Sequence, residues 1–122
     1  MKNVTNDKDA ITNAVTTYFT GTYHADSEQI RDVFHPEAVI TGILNGQFCH
    51  WSLNDFIARI TSVPSAAKNN EIYDKVIHLI DYTGDVAMVK ARVVAAGHVF
   101  TDYITLLKID KKWVIRNKSF FA

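Results

Sequence analysis

The order of elements in this chain predicts an α+β fold, with three N-terminal helices packed on one face of a curved, mostly antiparallel sheet. Two observations carry the prediction. Helical apolar spacing dominates the first half and is interrupted by a single hairpin signal. From Ile72 onward, β-branched and aromatic residues alternate with polar ones between turn residues. A length of 122 residues fits one domain, 1–122.

The first helix is expected from about Asp7 to Tyr23. Ile11, Ala14, Val15, Tyr18 and Phe19 follow the i, i+3, i+4, i+7, i+8 pattern of a buried stripe. Asn6 can cap it, and Asp7 and Asp9 suit the positive end of its dipole. A short second helix follows, with Asp26 and Gln29 as a capping pair and Ile30, Val33 and Phe34 as its apolar face. His35-Pro36 ends it, because the residue before proline disfavours helical backbone. Ala38–Leu44 and Gln47–Trp51 read as strands joined by Asn45-Gly46, a pair suited to the positive φ of a tight hairpin. Ser52 and Asp55 open a third helix whose stripe is Leu53, Phe56, Ile57 and Ile60. Pro64 stops it, and P-S-A-A-K-N-N is a surface loop.

The remainder reads as strand: Ile72–Tyr82, a turn at Gly84-Asp85, a long strand Val86–Val99, and a closing hairpin Phe100–Phe120. That hairpin turns at Asp110-Lys111-Lys112. In the long strand Ala87, Val89, Ala91, Val93 and Ala95 form a small apolar face.

Thirteen basic and thirteen acidic residues cancel, so no net field draws nucleic acid or an anionic membrane. One cysteine, Cys49, excludes an internal disulfide and offers no metal spacing. The N-terminal run M-K-N-V-T-N-D-K-D lacks an apolar signal core, and no stretch reaches membrane-spanning length. A cytoplasmic protein is the expectation. No histidine pair has recognisable metal spacing, and no phosphate loop or nucleophile elbow is present. No cofactor is called for.

Asp102 stands out because it is an acid in the middle of an apolar strand. Burying a carboxylate is costly unless it is paired, so it calls for a partner or a use. A buried structural carboxylate and a ligand-binding one weigh about equally at this point.

The runs Y-F-T-G-T-Y-H-A-D (Tyr18–Asp26), V-F-H-P-E-A-V-I (Val33–Ile40) and F-T-D-Y-I-T-L-L-K-I-D-K-K-W-V-I-R-N-K resemble the nuclear transport factor 2-like superfamily. That superfamily includes ketosteroid isomerase, scytalone dehydratase and polyketide cyclases. The chain is most similar to its small bacterial proteins named "putative lumazine-binding". The resemblance implies a cone-like roll with a pocket at its open end, and a homodimer formed through the outer sheet face. Lumazine or flavin binding is implied only by the family's name.

The resemblance also implies a site. Tyr18 matches the isomerase's oxyanion-hole tyrosine, and Asp102 matches the aspartic acid it keeps neutral as a hydrogen-bond donor. The isomerase's general base has no counterpart, since Thr41 and Gly42 occupy that region. His98, four residues before Asp102, would share its face on an unbroken strand and supply acid–base chemistry near neutrality. Tyr18, Asp102 and His98 are thus the catalytic candidates. Tyr18, Thr41, Phe56, Phe100, Asp102 and Trp113 are the ligand-binding candidates. The leading expectation is a protein that binds an apolar or aromatic small molecule. The alternatives are an isomerase, dehydratase or cyclase working through enol chemistry, and a protein-interaction module.

Overall fold

The computed structural model describes residues 6–122. The first five residues of the polar N-terminal run lie outside the described residues. The elements are α1 (Asp7–His24), α2 (Ser27–Val33), β1 (Phe34–Leu44), β2 (Gln47–Ser52), α3 (Leu53–Thr61), β3 (Lys75–Thr83), β4 (Val86–Ala95), β5 (His98–Ile109) and β6 (Lys112–Phe121). Three helices pack on a six-stranded sheet of order β2-β1-β6-β5-β4-β3. Among the described residues only the β1–β6 pairing is parallel. The α+β expectation therefore holds.

Local chemistry accounts for the helix starts. The side chain of Asn6 accepts from the Asp9 amide at 2.8 Å, that of Asp26 from Gln29 at 3.1 Å, and that of Ser52 from Asp55 at 3.1 Å. Each cap satisfies an amide that the helix itself cannot. All five stripe residues of α1 are buried, and Ile11 and Val15 are fully so. Removing one such side chain from water contributes about 1.5–3 kcal/mol.

The expected long strand Val86–Val99 is two strands. Ala96 and Gly97, at φ 52° and 78°, turn the chain between β4 and β5. Two successive positive-φ residues make the tight hairpin, and alanine is an atypical first residue for it, which hid the turn. α2 ends at Val33 with Phe34 as its C-cap, so His35-Pro36 directly follows the helix end as expected, and the pair already lies in β1. The inner apolar face of β4 is as expected: Ala87, Val89, Ala91 and Val93 are buried.

Two bulges change which residues face inward. In β3 the register slips between Ile77 and Leu79, leaving His78 exposed at the slip. On either side Lys75 pairs with Val93 and Ile80 with Val89, so Lys75 and Ile80 share the inner face despite their odd separation. In β6 Ile115 pairs with Leu106 and Asn117 with Thr105, so Arg116 is the extra residue. Trp113 and Ile115 face the core before the bulge, and Lys118 and Phe120 face it afterwards. A bulge bends its strand and reverses the alternation beyond it. No helix among the described residues is long and apolar enough to cross a membrane.

Gly42 fixes one wall. It is buried on β1, and a Cβ there would meet the Phe120 ring at 2.6 Å. That ring cannot easily retreat: it stacks on Trp51 at 5.7 Å and meets Phe100 edge-on at 5.5 Å. Gly42→Ala is expected to destabilise the fold by about 1–3 kcal/mol through overpacking, read from urea denaturation midpoints. Phe120→Leu in the same chain should recover part of the loss. A Gly42→Ala midpoint equal to that of the wild type would refute the constraint.

Candidate functional site

Between α1, α3 and the inner sheet face lies a half-open, mostly apolar cavity of about 320 Å³. Tyr18 reaches it from α1, Phe56 and Arg59 from α3, Lys75 from β3, His98, Phe100 and Asp102 from β5, and Lys118 and Phe120 from β6. Its deep end is polar. The Tyr18 hydroxyl donates to Asp102 Oδ2 at 2.8 Å, across 84 residues of sequence. Lys118 Nζ donates to the same tyrosine oxygen at 2.8 Å and stands 3.9 Å from Asp102 Oδ2. Asp102 is 1% exposed and Lys118 6%.

This is a linear chain in which lysine donates to tyrosine and tyrosine to aspartate. Its electrostatics follow from burial. Desolvation, then the charge of Asp102 and the hydrogen bond to it, push the Tyr18 hydroxyl well above its ordinary value of 10.0. Desolvation pushes Lys118 below 10.5, opposed by Asp102. The ammonium also lies 4.4 Å from the centroid of Phe56 and 4.9 Å from that of Tyr18, so aromatic faces replace part of its lost hydration.

Two polar functions remain open. Asp102 Oδ1 has no hydrogen-bond partner among the described residues, and an orphaned buried acceptor is costly. A ligand N–H or O–H would satisfy it. Lys118 has three donors and gives one to Tyr18. Within this three-residue chain the donor available to a ligand oxygen is therefore Lys118, because the Tyr18 proton is already committed to Asp102. That differs from a tyrosine-and-aspartic-acid oxyanion hole, in which both groups donate to the ligand.

The structure brings together five of the sequence-derived candidates: Tyr18, Asp102, His98, Phe56 and Phe100 all line the cavity. His98 opens β5 on the Asp102 face, with its ring 5.8 Å from that of Phe100. Two candidates lie elsewhere. Thr41 points to the opposite sheet face, where its hydroxyl meets that of Ser119 at 2.9 Å. The inward residues beside it are Ile40 and Gly42. Trp113 is buried at the start of β6, before the bulge, and its indole donates to Asp7 Oδ1 at 3.0 Å. Reasoning from sequence missed Lys118 and Lys75, because strict alternation from Trp113 and Ile115 sends Lys118 outward. The available signal was its own flank, K-S-F-F, an inward aromatic two residues on.

Comparison with known proteins agrees with this architecture. The family model described as "Putative lumazine-binding" matches residues 6–121. The chain belongs to this family. Its structural relatives carry the nuclear transport factor 2-like fold. A crystal structure of an NTF-2-like protein of unknown function from Silicibacter pomeroyi superposes with a TM-score of 0.81 at 27% identity, covering 91% of each chain. One from Methylobacillus flagellatus gives 0.81 at 27% identity, covering 98% of this chain and 94% of the other. Aldolase FrzH of a Cladobotryum species is 27% identical over 124 residues, covering 99% of this chain and 96% of its own length.

Truncating Lys118 strands a buried carboxylate, and truncating Asp102 strands a buried ammonium. Lys118→Met and Asp102→Asn are each expected to lower stability by about 3–5 kcal/mol, and the double variant by clearly less than the sum. Additive losses in urea denaturation would show that the two groups are not coupled.

Lys75 supplies a pH signature. Burial, then the nearby charge of Lys118, lowers it from 10.5 to about 8, against the pull of Asp102 and Glu71. Between those two values the unfolded chain binds more protons than the folded one, so stability rises with pH across the window. Lys118 acts in the same sense, whereas Tyr18 reverses the slope above 10, where the unfolded chain loses its proton first. Denaturation midpoints from pH 8 to 10 should therefore rise in the wild type and rise less in Lys75→Met. An identical slope in both would remove Lys75 as a cause.

Proposed function

We propose that this protein binds a flat, largely apolar small molecule bearing a carbonyl or hydroxyl group, with its polar end inserted toward Asp102 and Lys118. The observation that carries this reading is the pairing of an open apolar cavity with a buried acceptor, Asp102 Oδ1, that none of the described residues satisfies. Pockets of this kind gain affinity from apolar walls and orientation from a few fixed polar groups. The family's description points to a heterocycle with both N–H donors and carbonyls. Such a ring matches one acceptor and one cationic donor side by side.

Enol chemistry at the same site is the second reading. His98 at the cavity wall and the similarity to an aldolase favour it. A cation beside a carbonyl oxygen would stabilise an enolate. An interaction role belongs to the other side of the sheet, where Ile43, Tyr103 and Phe121 are exposed. In our reading that face joins two copies of the chain.

The binding test uses lumazine and 2-naphthol as probes, with Trp51 fluorescence as the reporter because Trp51 lines the cavity. Saturable quenching is expected. Asp102→Asn should weaken binding by at least tenfold, about 1.4 kcal/mol, in protein that remains folded by circular dichroism. Unchanged affinity in that variant, or no quenching by either probe, would sink the reading.

A further inference from the structure

The cavity holds a second lysine that the polar chain does not use. Lys75 stands on the inner face of β3, opposite Val93, and lines the same space as Lys118. Among the described residues it forms no ion pair within 4.0 Å. Its aromatic neighbour is Tyr73, with the ammonium 5.9 Å from the ring centroid. The charged groups that act on it are Lys118 from β6, Asp102 from β5 and Glu71 from the loop before β3. Asp102 is already engaged by Tyr18 and Lys118. Among the described residues Lys75 is thus an amine without an ion pair that lines an apolar cavity, acted on by a second cation, Lys118, which itself engages Asp102.

We propose that Lys75 is a nucleophile that condenses with an aldehyde or ketone bound in this cavity and holds it as an imine. Lysines become nucleophilic when desolvated or placed next to another cation, and both conditions are met here. The amine falls to about 8, so a usable fraction is neutral near neutral pH. Lys118 is the poorer nucleophile. Its nitrogen is tied to Tyr18 at 2.8 Å and packed against Phe56, which leaves it to polarise the carbonyl oxygen.

The step balances without a co-reactant. The lone pair of Lys75 Nζ forms a bond to the carbonyl carbon, and the C–O π pair moves to oxygen. The carbinolamine then loses its oxygen together with the two protons that began on nitrogen. The products are one imine and one water. The inference rests on the cavity being a ligand site, and the test below separates the two.

The probe is 2-naphthaldehyde with sodium cyanoborohydride on the full chain at pH 7.5, followed by peptide mass mapping. Its alcohol, 2-naphthalenemethanol, serves as the control ligand. We expect one reduced adduct, at Lys75, forming at least tenfold faster than at any other lysine. Lys75→Arg, which keeps the charge, should abolish that adduct. Adducts at Lys118, or spread evenly over surface lysines, would overturn the assignment. If the alcohol binds and no adduct forms at Lys75, the imine fails and the ligand site stands. If neither compound binds, the site itself fails and takes the imine with it.

Discussion

A carboxylate that is 1% exposed sits deep inside this cone, and the fold around it is arranged to make that tolerable. Tyr18 comes from the first helix and Lys118 from the last strand, 84 and 100 residues apart in the two hydrogen bonds that meet at the tyrosine oxygen. For those bonds to form, α1 must lie in one rotational setting against the sheet, and β5 and β6 must pair in one register. Two opposite charges out of water do not on balance stabilise a core; at best they offset their own desolvation. Their structural effect is to penalise alternatives, since a slip of one residue in β5 or β6 would strand one charge without the other. The apolar stripe of α1 supplies the energy of docking, and the polar chain selects which docking survives.

The fold was legible in the sequence because its signals are local. Capping residues, apolar stripes and the Asn45-Gly46 turn act within a few residues of themselves, and the structure places them as their chemistry requires. The boundary between β4 and β5 was not legible, because Ala96 gives no warning that it will adopt φ 52°. The site was half legible. Tyr18 and Asp102 stand out as polar atoms on apolar faces, a property visible in one dimension. Lys118 does not stand out, because its inward direction depends on the extra residue Arg116, and a bulge is fixed by pairing with a distant strand. Lys75 is hidden for the same reason, by the slip at His78. Thr41 was misplaced in the opposite way. The motif correspondence locates the region, but the pleat gives the inward position to Gly42. Both missed residues are lysines, a residue type that alternation assigns to solvent by default.

Lys118 separates this cavity from the isomerase arrangement that the sequence resemblance implies. In the isomerase arrangement a tyrosine and a neutral acid donate together to one oxygen. Here a third group enters from β6 and reorders the donors, so that tyrosine becomes a relay between a cation and an anion. A ligand in this cavity would meet a charged donor and a carboxylate oxygen unpaired among the described residues, in place of two neutral donors. This changes the chemistry the site can support. A neutral donor pair favours a ligand whose charge develops during reaction. An ammonium beside an unsatisfied acceptor favours a ligand that carries its own donor and acceptor side by side.

Burial also runs in one direction through the cavity, and this orients whatever enters it. The polar chain is almost wholly enclosed, whereas Val63 and Ile72 in the wall are 61% and 85% exposed. Those exposed residues belong to the loop between α3 and β3, which is tied to α1 by the Ala67 amide on the Tyr23 carbonyl at 3.1 Å and by the Tyr23 hydroxyl on the Glu71 carbonyl. Tyr73 packs edge-on against Tyr23 at 5.1 Å and strengthens the attachment. The mouth is thus apolar but held, and only the deep end is charged. A purely apolar molecule would leave Asp102 Oδ1 unsatisfied, while a strongly polar one would have to surrender its hydration to aromatic walls. On the proposed reading, the molecule that would fit best is amphipathic along its length, with its polar end leading.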